Sequence, residues 1–199
     1  MTTNPERAMR ADAVRTRKAL LEAAATVFAD IGEEATVAQI AARAGIAKGT
    51  VFRHFPTKDE LLAAIVADAV DELVAAADRV AARDDADAAL LEFMRVGAGT
   101  YARNRALVQV LDSAGAARHA GVQAQVERLI TAAERLAGRA RRAGTLRPDV
   151  HGQDVVLLTC GVYHAALPLL DEHPDACDRY LDMLFAGLRT TERGATAPG

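Results

Sequence analysis

Residues 36–55 read TVAQIAARAGIAKGTVFRHF, and this stretch decides how the region around it is expected to fold. Its first threonine and the glutamine three residues later form a capping box, which predicts the start of a helix. Gly45 ends that helix, because glycine adopts the positive φ of a tight turn without strain. A second short helix is predicted over 47–54. Two short helices joined by a glycine turn are typical of a helix-turn-helix, whose second helix enters the DNA major groove.

Three positions have the residue types that this motif requires. Ala41 is small where the two helices cross, Gly45 forms the turn, and Val51 packs against the first helix. Their separations of four and six residues are those expected of the motif. Further apolar anchors are predicted at Ile40, Ile46, Phe52 and Phe55.

The outward face of the second helix is predicted to carry small and basic residues and no bulky apolar one. Basic side chains contact phosphates or base edges, threonine contacts either, and glycine lets the backbone approach DNA closely. The predicted DNA-binding residues are Thr36, Val37, Lys48, Gly49, Thr50, Arg53, His54 and Lys58. The alternative is a plain amphipathic hairpin whose basic side chains are only solvated.

The composition favours an all-α fold for the whole chain of 199 residues. Apolar residues make up 51% but aromatic residues only 4%, so alanine and leucine supply most of the packing, and strong helix formers occur throughout. Nine helices are predicted, with disordered ends at 1–11 and 190–199. Their approximate ranges are 12–31, 37–44, 47–54, 57–83, 86–103, 105–114, 122–144, 149–170 and 174–189.

Charge is distributed unevenly along the chain. Residues 1–58 hold nine Lys and Arg against six Asp and Glu, a net charge of +3, whereas the remaining residues have a net charge of −6. A basic N-terminal module on an acidic body is expected when only the first part meets phosphate. Chance clustering is the alternative that charge alone leaves open.

Several other classes of protein are disfavoured by the sequence. No apolar segment follows the polar start, and the longest uncharged apolar run, between Asp154 and Asp171, is too short to span a membrane. We therefore expect a cytoplasmic protein without a membrane partner, in which Cys160 and Cys177 are reduced. The histidines lack metal-ligand spacing, and no nucleophile elbow or phosphate loop occurs, so no enzyme, metal or cofactor is expected.

The segment from about Arg15 to Val66 resembles the N-terminal domain of TetR-type transcriptional repressors. The resemblance rests on VFADIG at 27–32, the capping box and glycine turn of 36–45, KGTVFRHF at 48–55 and KDELL at 58–62. It departs from the family at Phe52-Arg53, where many members carry tyrosine. A phosphate contact usually made by the tyrosine hydroxyl is therefore in question.

The resemblance implies an N-terminal helix-turn-helix domain at 1–60, with three helices, and a helical effector-binding and dimerisation domain at 61–199. It also implies a homodimer on a palindromic double-stranded operator, with recognition helices about 34–36 Å apart. We expect a repressor that a small-molecule ligand releases from DNA. The alternative is a DNA-binding regulator whose C-terminal domain only dimerises or binds a protein; an enzyme is the third class.

The resemblance further implies a pocket for a small apolar or amphipathic ligand among the C-terminal helices. Its candidate residues are Phe93, Met94, Gly97, Tyr101, Asn104, Leu107, Leu111, Leu129, Cys160 and His164. The competing interpretation is an ordinary apolar core. A dimer surface is expected on the last two helices, through Val155, Leu158, Val162, Tyr163, Tyr180, Leu181, Leu184 and Leu188. These residues alternatively form the internal core of a monomer.

Overall fold

The computed structural model describes residues 5–104 and 120–190, and within these ranges it is all-α, without strands. The predicted fold class is confirmed. The predicted helix at 105–114 lies outside the described residues, so the described part holds eight α-helices rather than nine. They are α1 (Pro5–Ile31), α2 (Val37–Ala44), α3 (Lys48–His54), α4 (Lys58–Ala81), α5 (Ala86–Arg103), α6 (Ala120–Arg142), α7 (Gly152–Ala166) and α8 (Ala176–Leu188).

The chain divides into two compact units, and α4 continues from the first into the second. Unit 1 contains the described residues up to Ala69, together with Asn104 and residues 120–125. Unit 2 contains Val70–Arg103 and the described residues from Val126 onwards. The predicted domain boundary at residue 60 falls inside α4. None of the described helices is long and apolar enough to cross a membrane.

In unit 1 the second half of α1 supplies the core and packs on α2. Its buried side chains recur at helical spacing and are Leu20, Leu21, Ala24, Val27 and Phe28. The start of α1 differs from the prediction, because the helix begins at Pro5 rather than near residue 12. No apolar stripe marks these first residues, so hydrophobic periodicity had no signal to extend the helix into them.

Within unit 2, regularly spaced ion pairs connect the C-terminal half of α4 to α6. Arg128 Nη2 lies 2.7 Å from Asp71 Oδ1, and Arg135 Nη2 lies 2.8 Å from Asp78 Oδ1. One helical turn later, Arg139 donates hydrogen bonds to two backbone carbonyls at the end of α4 and just beyond it. The constant sequence offset means that the two helices run parallel. Arg139 thereby satisfies carbonyl groups that a helix end leaves without partners.

Helices α6 and α7 approach at Gly152. A Cβ added there would lie 2.6 Å from the carbonyl oxygen of Ile130 and 2.7 Å from the Cα of Glu134. Glu134 also accepts hydrogen bonds from the Gly152 N–H, at 2.6 Å, and from the Arg141 guanidinium. The Arg141 hydrogen bond is the main reason that the pKa of Glu134 is lowered.

Two predicted helix starts are wrong by a few residues. The sequence places Asp149 near the start of a helix, but it lies before the helix and pairs with Arg147 at 2.5 Å, while Asp154 occupies the first turn of α7. Pro174 is expected in a first helical turn, but α8 begins at Ala176. For a short polar side chain such as that of Asp149, local turn interactions compete with the helix start.

Candidate nucleic-acid interface

The helix-turn-helix begins at a capping box, as the sequence predicts. The Thr36 hydroxyl accepts a hydrogen bond from the Gln39 N–H at 3.3 Å, and the Thr36 N–H donates to Gln39 Oε1 at 2.9 Å. Gly45 ends α2 with φ of 65°. The N–H of Ile46 then returns to the carbonyl of Ala41. Both the cap and the left-handed turn are thus confirmed.

Buried apolar side chains hold α2 and α3 together. Ile40 and Ala41 are buried on α2, and Val51 is fully buried on α3. Phe55, which ends α3, is also buried, whereas Ile46 is half-buried. Because these contacts fix one side of the seven-residue α3, the opposite side faces solvent.

The outward residues form a surface that we call the reading face, consisting of Lys48, Gly49, Thr50, Phe52, Arg53 and His54. Lys48, Gly49 and Arg53 are exposed, while Thr50 and His54 are half-buried. A Cβ added at Gly49 would meet no atom within 4 Å. Among the other predicted DNA-binding residues, Thr36 is exposed and Val37 and Lys58 are half-buried.

Phe52 corrects two sequence predictions. The sequence suggests a buried anchor on a helix whose outward face has no bulky apolar group, yet 43% of the residue is exposed. Val51 occupies the buried register, and the next residue on a helix is turned about 100° away from it. The Lys48 ammonium lies 5.8 Å from the centre of the Phe52 ring. The reading face therefore combines cations with an aromatic ring.

Arg53 of the reading face contacts the backbone, and Lys58, the first residue of α4, contacts an aromatic ring. Arg53 Nε donates to the Gly49 carbonyl at 3.4 Å, and the Lys58 ammonium lies 5.5 Å from the Phe28 ring centre. Their charged groups can bind phosphate oxygens, and arginine can also pair with two acceptors of a guanine edge. The reading face can therefore contact both the backbone and the bases of a duplex.

Some of the predicted pocket residues meet where α5 packs on α7. A Cβ added at Gly97 would lie 3.2 Å from the Thr159 methyl group, and the Tyr101 and Tyr163 rings are 6.2 Å apart. Burial, and secondarily the Cys160 thiol, raise the pKa of the Tyr101 phenol well above its usual value. The two helices are thus closely packed at Gly97, where a side chain would require the Thr159 methyl group to move by a few tenths of an ångström.

The remaining pocket candidates are distributed as follows. Phe93, Met94 and Leu129 are buried in unit 2, and Cys160 and His164 lie on α7, buried and half-buried respectively. Asn104 is half-buried and belongs to unit 1. Leu107 and Leu111 lie outside the described residues. Unit 2 also has an open cleft of about 610 Å³ beside the start of α5, whose Asp87 pairs with Arg189 at 3.0 Å.

The predicted dimer residues divide between the inside and the outside of unit 2. Val155, Tyr163, Leu181 and Leu188 are buried within the chain, while Leu158, Val162, Tyr180 and Leu184 are half-buried. The large exposed side chains beside them are Leu157, 60% exposed, and Met183, 61% exposed. The sequence did not single out Leu157, because apolar residues occupy all sides of α7; Met183 lies on α8 and was not predicted either. We call Leu157, Leu158, Val162, Tyr180, Met183 and Leu184 the outer apolar face.

Two family models match the chain. The model described as bacterial regulatory proteins of the tetR family covers residues 20–65. The model described as the C-terminal domain of SbtR-like transcriptional regulators covers residues 85–190, more than half of the chain. The first contains the complete helix-turn-helix, and the second contains α5, α6, α7 and α8. Each matched range therefore contains whole helices of the structure described above.

Individual relatives agree with these matches. The HTH-type transcriptional repressor Rv3405c of Mycobacterium tuberculosis is 43% identical over 70 residues, which cover 33% of this chain and 37% of that repressor. The TetR transcription regulatory protein of Mycobacterium vanbaalenii is 31% identical, with 92% of this chain and 99% of that chain covered and a TM-score of 0.57. FadR of Bacillus subtilis, solved with stearoyl-CoA, shares the fold alone, at 15% identity over 85% and 98% of the two chains and a TM-score of 0.67.

The match to Rv3405c spans just over a third of that relative's length. The match to the M. vanbaalenii regulator, by contrast, spans nearly the whole of both chains. With the helix-turn-helix model at one end and the regulator C-terminal model at the other, the chain belongs to the TetR family of transcription regulators.

Proposed function

We propose that this protein is a homodimeric repressor that binds a palindromic operator and is released from it by a small apolar or amphipathic ligand. The observation that carries the DNA-binding part is the reading face. It presents exposed Lys48 and Arg53 beside Gly49, where an added Cβ would meet no atom within 4 Å. A helix held from behind by Val51 and open in front has the arrangement that major-groove recognition requires.

Within the reading face, Arg53 is proposed to contact a guanine edge or a phosphate, and Lys48 a phosphate. Phe52 lacks the hydroxyl that a tyrosine would offer to a phosphate. Its exposed ring is instead suited to contact a thymine methyl group, which apolar side chains recognise in the major groove.

Duplexes selected from a random-sequence pool by the full-length protein provide the test. Arg53→Ala and Lys48→Ala should each weaken binding by about tenfold or more, without changing helicity, because alanine can bind neither a base edge nor a phosphate. Arg79→Ala, an exposed arginine of unit 2, is the control and should bind as the wild type does. Unchanged affinity in both reading-face variants at physiological salt would contradict the assignment.

A second copy of the chain is the proposed partner of the outer apolar face. Leu157 and Met183 are more than half exposed, and burying such side chains stabilises an interface by about 25 cal/mol per Å² of apolar area. Pairing α7 and α8 with their symmetry mates would form a four-helix bundle. This arrangement uses the half-buried members of the predicted dimer set, together with Leu157 and Met183, and leaves the buried members in the core of each protomer.

Light scattering tests the dimer. Met183→Arg should give monomers, because an arginine would be buried without a partner in the bundle. Ala186→Arg, at an exposed position on the same helix but nearer the charged side of α8, should remain dimeric. A monomeric wild-type protein, or a dimeric Met183→Arg variant, would count against the bundle.

The ligand-responsive part rests on the buried cluster between α5 and α7. Tyr101, Cys160 and His164 place polar groups among apolar residues, which is typical of ligand sites in helical domains. FadR, with the same fold, was solved holding stearoyl-CoA, so helices in this arrangement can hold an amphipathic ligand. Release from DNA requires the ligand to bind the DNA-incompetent state more tightly, since equal affinity for both states shifts nothing.

Native mass spectrometry of the purified full-length protein, followed by operator binding, tests this part. A ligand-responsive repressor should carry a bound small molecule, or lose operator affinity when the small-molecule extract of its host cells is added. If neither happens, the alternative of a regulator whose C-terminal domain only dimerises or binds a protein is favoured.

A further inference from the structure

The positive charge of the N-terminal region does not come from the helix-turn-helix. Residues 20–58 contain four Lys and Arg against four Asp and Glu and are neutral. Residues 1–19 contain five Lys and Arg against only two acidic residues. The entire net charge of +3 therefore lies before residue 20, where the matched family model begins.

Residues 5–19 lengthen α1 at its start. The helix runs from Pro5, and none of the side chains described between residues 12 and 19 is buried. Val14 is 68% exposed. At 1.5 Å per residue, the segment 5–19 adds about 22 Å of helix. We call this segment, Pro5–Ala19, the α1 extension. Burial in the core does not account for the side chains of residues 12–19.

The positions of the five cations in the α1 extension share one side of the helix. At about 100° per residue, all five fall within an arc of about 160°. The positions of the two acidic residues, Glu6 and Asp12, fall outside that arc. The five cations are Arg7, Arg10, Arg15, Arg17 and Lys18.

Two of the ion pairs on this segment are weak competitors for a phosphate. Arg15 lies 3.1 Å from Asp12 and Lys18 lies 3.8 Å from Glu22, and all four side chains are more than two-thirds exposed. Exposed pairs of this kind contribute little free energy. Arg15 and Lys18 can therefore exchange their carboxylate partners for phosphate oxygens at small cost.

The C-terminal end of the α1 extension lies beside the end of α3. The Arg17 guanidinium is 5.6 Å from the ring centre of Phe55, the residue that ends α3. The same arginine lies 3.9 Å from Asp68 of α4. A duplex held by α3 would therefore be close to the C-terminal end of the α1 extension.

We propose that the α1 extension is a second DNA-binding element, which holds phosphates of the duplex flanking the segment read by α3. Its length of about 22 Å equals that of about six phosphates along one strand, at about 3.4 Å each. The contact is electrostatic and independent of base sequence. The proposal rests on the proposed function, because it assigns the extension to the same DNA molecule.

The test compares two variants of equal charge on duplexes of two lengths. Arg10→Gln/Arg15→Gln removes two cations of the α1 extension, whereas Arg79→Gln/Arg142→Gln removes two exposed cations of unit 2. The first duplex is the shortest selected operator that the wild type still binds. The second carries about eight additional base pairs of random sequence at each end. Circular dichroism checks that both variants keep the wild-type helix content.

The extension variant should bind the longer duplex about tenfold or more weakly than the wild type at about 0.1 M salt. Its salt slope should fall by about 0.9 for each phosphate that it no longer neutralises. The flanks should strengthen binding by the wild type and by the unit 2 variant, but not by the extension variant. Equal affinities and slopes for the two variants would overturn the proposal. So would binding of the α1 extension to phosphatidylglycerol vesicles with no effect on DNA.

The same measurements separate this proposal from the function on which it rests. If Arg53→Ala abolishes operator binding while Arg10→Gln/Arg15→Gln binds as the wild type does, the reading face stands and the α1 extension is not a DNA-binding element. If Arg53→Ala has no effect on either duplex, the assignment of the reading face itself fails.

Discussion

A Cβ added at Gly45 or Gly49 of the helix-turn-helix would meet no atom within 4 Å, whereas one added at Gly152 of unit 2 would collide with the backbone of α6. Gly45 is needed for its positive φ, and Gly152 for the contact between two helices. Neither a positive φ nor a close helix contact accounts for glycine at position 49. Gly152 thus has its close neighbour within the chain, whereas the space beside Gly49 is open on the face that we propose to meet DNA.

The largest effect is expected at the helix contact. Gly152→Ala should lower the free energy of unfolding by about 3 kcal/mol, because the methyl group would overlap backbone atoms that cannot move independently. Gly161→Ala, at an exposed position of the same helix with no neighbour within 4 Å, is the matched control. It should stabilise by up to about 1 kcal/mol through helix propensity. Equal denaturation midpoints for the two variants would remove the packing explanation.

A smaller destabilisation is expected at the turn. Gly45→Ala should cost about 1–2 kcal/mol, because a side chain is strained at φ of 65°. Gly45→Asn should cost less, since asparagine tolerates the left-handed region better than alanine. Urea denaturation of both variants measures the difference. If alanine and asparagine cost the same, the conformational reason for this glycine is wrong.

The carboxylate at the α6–α7 contact predicts a dependence on pH. The pKa of Glu134 is lowered in the folded state, so its stabilisation is present above its ordinary value of 4.5 and disappears as the pH falls through the lowered value. Glu134→Gln should therefore be less stable than the wild type at about pH 7, and the two should converge in acid. Glu127→Gln, an exposed position on the same helix, is the control. A gap between Glu134→Gln and the wild type that stays constant from neutral pH to about pH 3 would contradict the lowered pKa.

Gly49 gives the smallest change in stability and the sharpest test of the comparison. Gly49→Ala should raise the free energy of unfolding by less than about 1 kcal/mol, because space is open and alanine favours helix. Its affinity for a selected duplex should fall, since the methyl group would separate the α3 backbone from DNA. Fluorescence anisotropy and thermal denaturation of the same variant provide the two readouts. Unchanged affinity would mean that the start of α3 does not approach the duplex.

Local sequence predicted the features that local chemistry controls. The capping box at Thr36, the left-handed turn at Gly45 and the buried Val51 lie within a few residues of their partners, so each could be predicted from its neighbours in sequence. Phe52 could not, because α3 is only seven residues long and too short for apolar periodicity to separate its buried and exposed sides. The start of α1 escaped prediction for a related reason, since its first residues carry no apolar stripe in the sequence.

The sequence by itself determined that the chain is helical, where its helix-turn-helix begins and turns, and that its N-terminal region is basic. Only the tertiary structure decided which side of α7, a helix with apolar residues on all sides, is buried, so that Val155 lies inside and Leu157 outside. The same holds for the contact between Gly152 and Glu134, which lie on different helices, 18 residues apart in sequence. Helix propensity, caps and turns act over a few residues, whereas burial depends on which helices pack together, and that is settled only when the whole chain has folded.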